Sequence, residues 1–150
     1  MIFDRTRQDV DNAVLIRRNK IQKFQALTEQ EIAIVEKGFL TINTLNRIEN
    51  KQTELQNLFK DMGYYNISVE NKEWAIGEYF FQEDFDRILS NLEKLKNAFF
   101  VYKATPVIKD NNYRAFQTIN DVEKILYDLD VMINDVKSHY RECGTFESGE

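Results

Sequence analysis

Apolar residues recur along this chain at three- and four-residue intervals, the spacing of one helix face. Leu45, Ile48, Gln52, Leu55, Phe59 and Met62 form a narrow seam that predicts a helix over about 41–62, with Gly63 as its stop. Phe85, Ile88, Leu89, Leu92, Leu95 and Phe99 predict another over about 82–101, with Glu83, Asp84 and Asp86 where the helix dipole favours negative charge. A broader stripe (Val122, Ile125, Leu126, Leu129, Met132, Ile133, Val136 and Tyr140) predicts a long last helix, opening at Thr118 with Asp121 three residues on and ending near Arg141 or Glu142. Leu55, Phe59, Leu89, Leu92, Leu126, Leu129 and Ile133 are the expected centre of the core.

Two weaker elements precede these. Thr6 and Asp9 resemble a capping box, and Val10, Ala13, Val14, Arg17, Ile21 and Phe24 then lie on one face, so a first helix is expected to about Gln25. Thr28 and Glu31 form a second capping box, with Leu27 and Ile32 placed as a hydrophobic staple. The short helix they start is expected to close on Gly38 in the left-handed conformation. Residues 64–81 lack helical period but hold six aromatics: Tyr64, Tyr65, Trp74, Tyr79, Phe80 and Phe81. Residues 67–69 suggest a short extended piece without a pairing partner, so this stretch reads as an ordered connection covering helix ends. The fold expected is all-α: a small bundle of about four to five helices with an aromatic-rich connecting loop. A single helical domain would occupy residues 1–142, followed by a non-helical tail over 143–150.

An internal echo links the halves. Leu45-Asn46-Arg47-Ile48-Glu49 matches Ile119-Asn120-Asp121-Val122-Glu123, each early in a long helix. The pattern allows two related halves, about 1–80 and 81–142. It also predicts structural roles for Asn46 and Asn120, whose amides can satisfy backbone groups of an adjacent loop.

Composition narrows the function. One proline and five glycines suit helices better than a strand-and-turn protein, and one cysteine rules out an internal disulfide. A net charge of −5 argues against a general nucleic-acid binder, despite the cluster Arg17, Arg18, Lys20 and Lys23. No apolar run approaches the roughly 20 residues of a membrane span, and the N-terminus lacks a signal-peptide layout. The glycines are isolated, so no phosphate-binding loop is present. His139 and Cys143, four apart, are too few ligands for a closed metal site. The acidic pairs Glu70/Glu73, Asp84/Asp86 and Asp128/Asp130 read as a solvated acidic surface; in Asp84/Asp86 and Asp128/Asp130 the residues are two apart on a helix and do not face each other. No catalytic, cofactor or metal residues are expected. Trp74, Tyr79, Phe80, Phe146, Gly144 and Gly149 are the candidate protein contacts, the aromatics as anchors and the glycines as points of close approach.

The order of short motifs also resembles a family. Asp4-Arg5-Thr6-x-x-Asp9-Val10, Thr28-x-x-Glu31, Leu45-Asn46-Arg47-Ile48-Glu49, Trp74, Asn91-Leu92-x-x-Leu95-Lys96, Thr105-Pro106 and Asn120-Asp121-Val122-Glu123-Lys124-Ile125-Leu126 occur in that sequence. Together with the ending Gly144 to Glu150, they resemble a small structural module of Firmicutes phage and prophage tail proteins. The resemblance implies a non-enzymatic virion component of the baseplate or tail-fibre region, present in multiple copies and touching other tail proteins. It implies neither nucleic-acid nor membrane partners. Its C-terminal tail is expected to dock on a neighbouring subunit or another tail protein. A small cell-wall-acting enzyme using acidic residues and a cytoplasmic helical regulator are the alternative classes.

Overall fold

The computed structural model describes the backbone of residues 1–99 and 101–147, and side chains as far as His139. Five α-helices follow one another: α1 (Arg7–Asn19), α2 (Glu29–Gly38), α3 (Ile42–Asp61), α4 (Gln82–Ala98) and α5 (Phe116–Glu147), with a 3-10 turn over Ile21–Lys23. Among the described residues there is no strand, and the all-α bundle expected from the stripes is the fold.

Helices α3, α4 and α5 pack on one another and hold the core. Leu55, Phe59, Leu92, Leu126, Leu129 and Ile133 are fully buried, and Leu89 is half-buried against them. Burying such side chains is the main favourable contribution to folding, of order 1.5–3 kcal/mol each. Gln52, in the middle of the α3 seam, is also buried; its Nε2 donates to the Ile88 carbonyl at 2.8 Å and ties α3 to α4. Gly63 follows α3 with φ of +94°, as its placement after the seam predicts.

Helices α1 and α2 form a separate antiparallel arm. The core of the bundle draws on none of residues 7–38 among those described. The arm's own contact is small: Ala13 and Gly38 are its buried residues. Both predicted capping boxes are present, Thr6 with Asp9 and Thr28 with Glu31.

Several boundaries differ from the expected ones. Helix α1 ends at Asn19, and the chain reverses through Lys20 to Phe24. Phe24 takes the left-handed conformation at φ of +55° and is 99% exposed, so it belongs to the arm's tip and not to a packed face. Gly38 does not cap α2 with a positive φ; it lies in the helix because α1 passes too close for any side chain. A Cβ there would sit 2.4 Å from the Ala13 Cβ and 2.5 Å from the Asp9 carbonyl oxygen. Helix α4 stops at Ala98, short of residue 101. Helix α5 begins at Phe116, which places Thr118 and Asp121 inside the helix instead of at its cap. It continues through residues 143–147, where a non-helical tail was expected.

Replacing Gly38 with Ala should force α1 and α2 apart and destabilise the arm by about 1–3 kcal/mol. Hydrogen exchange should report faster exchange of amides in residues 7–38 with the bundle amides unchanged. Unchanged protection in the arm would refute the close-approach role.

Candidate interaction surface and the clamps behind it

The connection between α3 and α4 is ordered without a strand partner because helix side chains take its place. Residues 69–74 run extended along α3, in the direction opposite to the helix. Gln56 Oε1 accepts from the Val69 N–H at 2.6 Å, and Glu49 Oε2 accepts from the Lys72 N–H at 2.7 Å. Asn46 takes both backbone groups of Trp74: its Oδ1 accepts from the N–H at 2.8 Å, and its Nδ2 donates to the carbonyl at 3.1 Å. Positions 46, 49 and 56 share one helix face, next to the apolar seam. From α4, Asn91 does the same for Glu70, accepting from its N–H at 3.1 Å and donating to its carbonyl at 2.7 Å. Arg87 also donates to the Glu70 carbonyl and pairs with the buried Glu49 at 2.5 Å.

The same device holds the N-terminal segment against α5. Asn120 Oδ1 accepts from the Arg5 N–H at 3.2 Å, and its Nδ2 donates to the Arg5 carbonyl at 2.9 Å. Glu123 is fully buried between Arg5, at 2.5 Å, and Arg47, at 2.7 Å. Farther along α5, the Phe3 and Tyr127 rings lie 5.1 Å apart. The structural roles expected of Asn46 and Asn120 are therefore present. In each case the Glu three residues on is a buried anion held by arginine.

The aromatic group divides. Trp74 is 4% exposed, packs edge-on to Phe80 at 5.4 Å and carries Lys72 over its ring at 3.8 Å. Phe80 is half-buried among Trp74, Phe85 and Tyr113. Trp74 thus belongs to the core, whereas Tyr79, Ile76 and Phe81 are exposed. Gly144 and Phe146 lie in the last turn of α5, beyond the side chains described, and Gly149 lies outside the described residues.

Sequence spacing does not reveal the main cavity. It encloses about 780 Å³ between the arm and the bundle. Arg5, Arg7, Arg17 and Arg114 line it together with Phe39, Phe80, Tyr113 and Phe116, and no Asp or Glu is among its lining residues. Arg17 lies over the Phe39 ring at 5.4 Å and Arg114 over the Tyr113 ring at 5.8 Å. Stacked guanidiniums of this kind still present their N–H edges to an incoming acceptor.

Asp128 and Asp130 are held by different partners. Asp128 accepts from the Thr105 hydroxyl at 2.6 Å and from Lys124 at 2.6 Å, whereas Asp130 accepts from Asn134. No group of three or more His, Cys, Asp or Glu able to hold a metal occurs among the described residues. His139 Nδ1 lies 2.8 Å from the Asp135 carbonyl oxygen. No helix, within the described residues, is long and apolar enough to cross a membrane. Comparison with protein-family models, curated proteins and solved structures gives no match.

The arm's two caps respond to pH. Hydrogen bonds from the Thr6 backbone and side chain, helped by Lys37, hold the Asp9 carboxyl below its usual range. The hydrogen bond from Lys20, with those from Thr28, does the same for Glu31. A carboxyl lowered in the folded state stabilises it above the unfolded pKa, and that contribution is lost as pH falls through the folded pKa. The arm should therefore lose helix below the normal carboxylate range before the bundle does. Residue-resolved NMR in an acid titration should show residues 7–38 shifting first; Asp9→Asn with Glu31→Gln should abolish the early step.

Glu123→Gln should cost about 3–5 kcal/mol in chemical denaturation, because two arginines lose the one anion they share. A loss under 1 kcal/mol would mean that the cluster does not carry the N-terminal segment.

Proposed function

We propose that this protein is a non-enzymatic structural or adaptor component of a phage tail, in the baseplate or fibre-attachment region, working through protein–protein contacts in multiple copies. The resemblance of its ordered motifs supplies the class. The observation that favours a contact protein is the arm. Leu15, Ile21, Phe24, Ile32 and Ile34 are exposed on α1, α2 and the turn between them, which contribute nothing to the bundle core among the described residues. Surplus apolar surface on a well-capped helix pair is characteristic of an interaction surface.

Polar residues of the ordered motifs have structural partners. Asp9 and Glu31 sit in caps, Asn46, Asn91 and Asn120 in backbone clamps, and Glu49 and Glu123 in ion pairs. The motifs thus describe a scaffold, which favours the adaptor over a cell-wall enzyme built on the same acids.

Mass spectrometry of purified particles tests the reading. The protein should be present in particles from a strain carrying its gene, and deletion should yield particles lacking distal tail structures. Absence from particles, or peptidoglycan cleavage by the purified chain, would refute it.

A further inference from the structure

We propose that the arginine-lined cavity between arm and bundle is a docking site for the C-terminal segment, residues 144–150, of a second copy of this chain. Four observations lead there. Among the described residues the cavity lining holds four arginines and no carboxylate, and although Arg5 pairs with Glu123 and Arg7 with Asp11 behind it, this is a basic space in a chain where acids outnumber bases by 25 to 20. Arg17 and Arg114 make no ion pair among the described residues, so both remain available to an anion. Arg5 is 5% exposed, and its Nη2 has no hydrogen-bond partner among the described residues. The remaining walls are mostly apolar, with Phe39, Phe80, Tyr113 and Phe116 beside Val10, Leu40 and Ile119, so a matching ligand carries carboxylates beside an apolar ring.

The segment Gly144-Thr145-Phe146-Glu147-Ser148-Gly149-Glu150 has that chemistry: one aromatic, two carboxylates and two glycines. Phe146 would enter between Phe39 and Tyr113, where offset or edge-on ring contacts are favourable. Glu147 and Glu150 would meet Arg17 and Arg114, whose planar guanidiniums suit bidentate carboxylate binding.

Helix geometry makes the contact intermolecular. Helix α5 starts at the cavity wall with Phe116 and runs 32 residues. At 1.5 Å per residue it carries the chain about 48 Å away. The three residues after Glu147 reach back at most about 11 Å. The segment therefore cannot return to its own cavity, but it can enter a neighbour's. Such a contact joins unlike surfaces, so successive copies form a closed ring or an open series. The inference deepens the adaptor reading and rests on its claim that several copies assemble.

A labelled peptide of residues 144–150 should bind the full chain saturably, and a scrambled peptide of the same composition should not. Arg17→Glu with Arg114→Glu should weaken binding at least tenfold, as should Phe146→Ala in the peptide. Both arginines are exposed and without ion pairs among the described residues, so the bundle should keep its helix content by circular dichroism. In sedimentation, the full chain should assemble, excess peptide should dissociate it, and Glu147→Arg with Glu150→Arg should restore assembly to the charge-reversed cavity. A monomeric chain that ignores the peptide overturns the inference, as does assembly or peptide binding indifferent to these substitutions. A monomer still found in particles leaves the adaptor reading standing; an assembling chain absent from particles removes that reading and leaves the contact.

Discussion

An extended backbone laid on a helix has no neighbouring strand to satisfy its N–H and C=O groups, and most of this structure follows from how that constraint is met. A buried backbone group without a partner costs about 1–3 kcal/mol. Asparagine offers one acceptor and a donor pair at a single amide, so it can close on both groups of one residue. Asn46 does so with Trp74, Asn91 with Glu70 and Asn120 with Arg5. Each clamp converts a loose connection into a fixed layer over the bundle. The Trp74 clamp places its indole in the core, and the Arg5 clamp brings a guanidinium to Glu123.

The buried glutamates then tie the clamped segments to a second helix. Glu123 on α5 holds Arg5 from the N-terminal segment and Arg47 from α3. Glu49 on α3 holds Arg87 from α4 and the Lys72 N–H from the connection. Removing one member of such a set leaves a buried charge uncompensated, whereas replacing the whole set by apolar groups can be neutral. The value of the arrangement lies in register. An Asn with a Glu three residues later fixes which turn of the helix each extended segment crosses, something a purely apolar groove leaves undetermined.

This division explains what could be read from the chain alone. The seams of α3, α4 and α5 were legible because helical spacing survives in Leu45, Ile48, Leu55 and Phe59, and again in Leu92 and Leu95. The clamps were half-legible: the echo of Asn46-x-x-Glu49 in Asn120-x-x-Glu123 marked the right residues, but not their partners 28 and 115 positions away. The turn after α1 was hidden because its left-handed residue is Phe24, not a glycine. Gly38 was misread for the converse reason: a glycine after a short helix signals a cap, and here it serves close packing with Ala13. The cavity left no trace in spacing at all. Its arginines come from the N-terminal segment and α1 (Arg5, Arg7, Arg17) and from just before α5 (Arg114), and only the fold sets them around one space.

That space follows from two incompatible ways of packing. The arm is held together by its smallest residues, which draws α1 and α2 close and leaves their larger side chains on the outside. The bundle packs through bulky side chains, and the Arg5 clamp on α5 fixes the segment that leads into the arm. A thin pair of helices rooted on a thick bundle cannot fill the corner between them without long side chains from both. Here the corner receives arginines, and the guanidiniums of Arg17 and Arg114 lie over the Phe39 and Tyr113 rings. A corner of mixed aromatic and cationic character gains little from closing on itself, since like charges would converge. It gains from an anionic, ring-bearing segment supplied from outside. The same small Ala13–Gly38 contact that makes the arm marginal as a packing unit therefore creates the surface best suited to a partner.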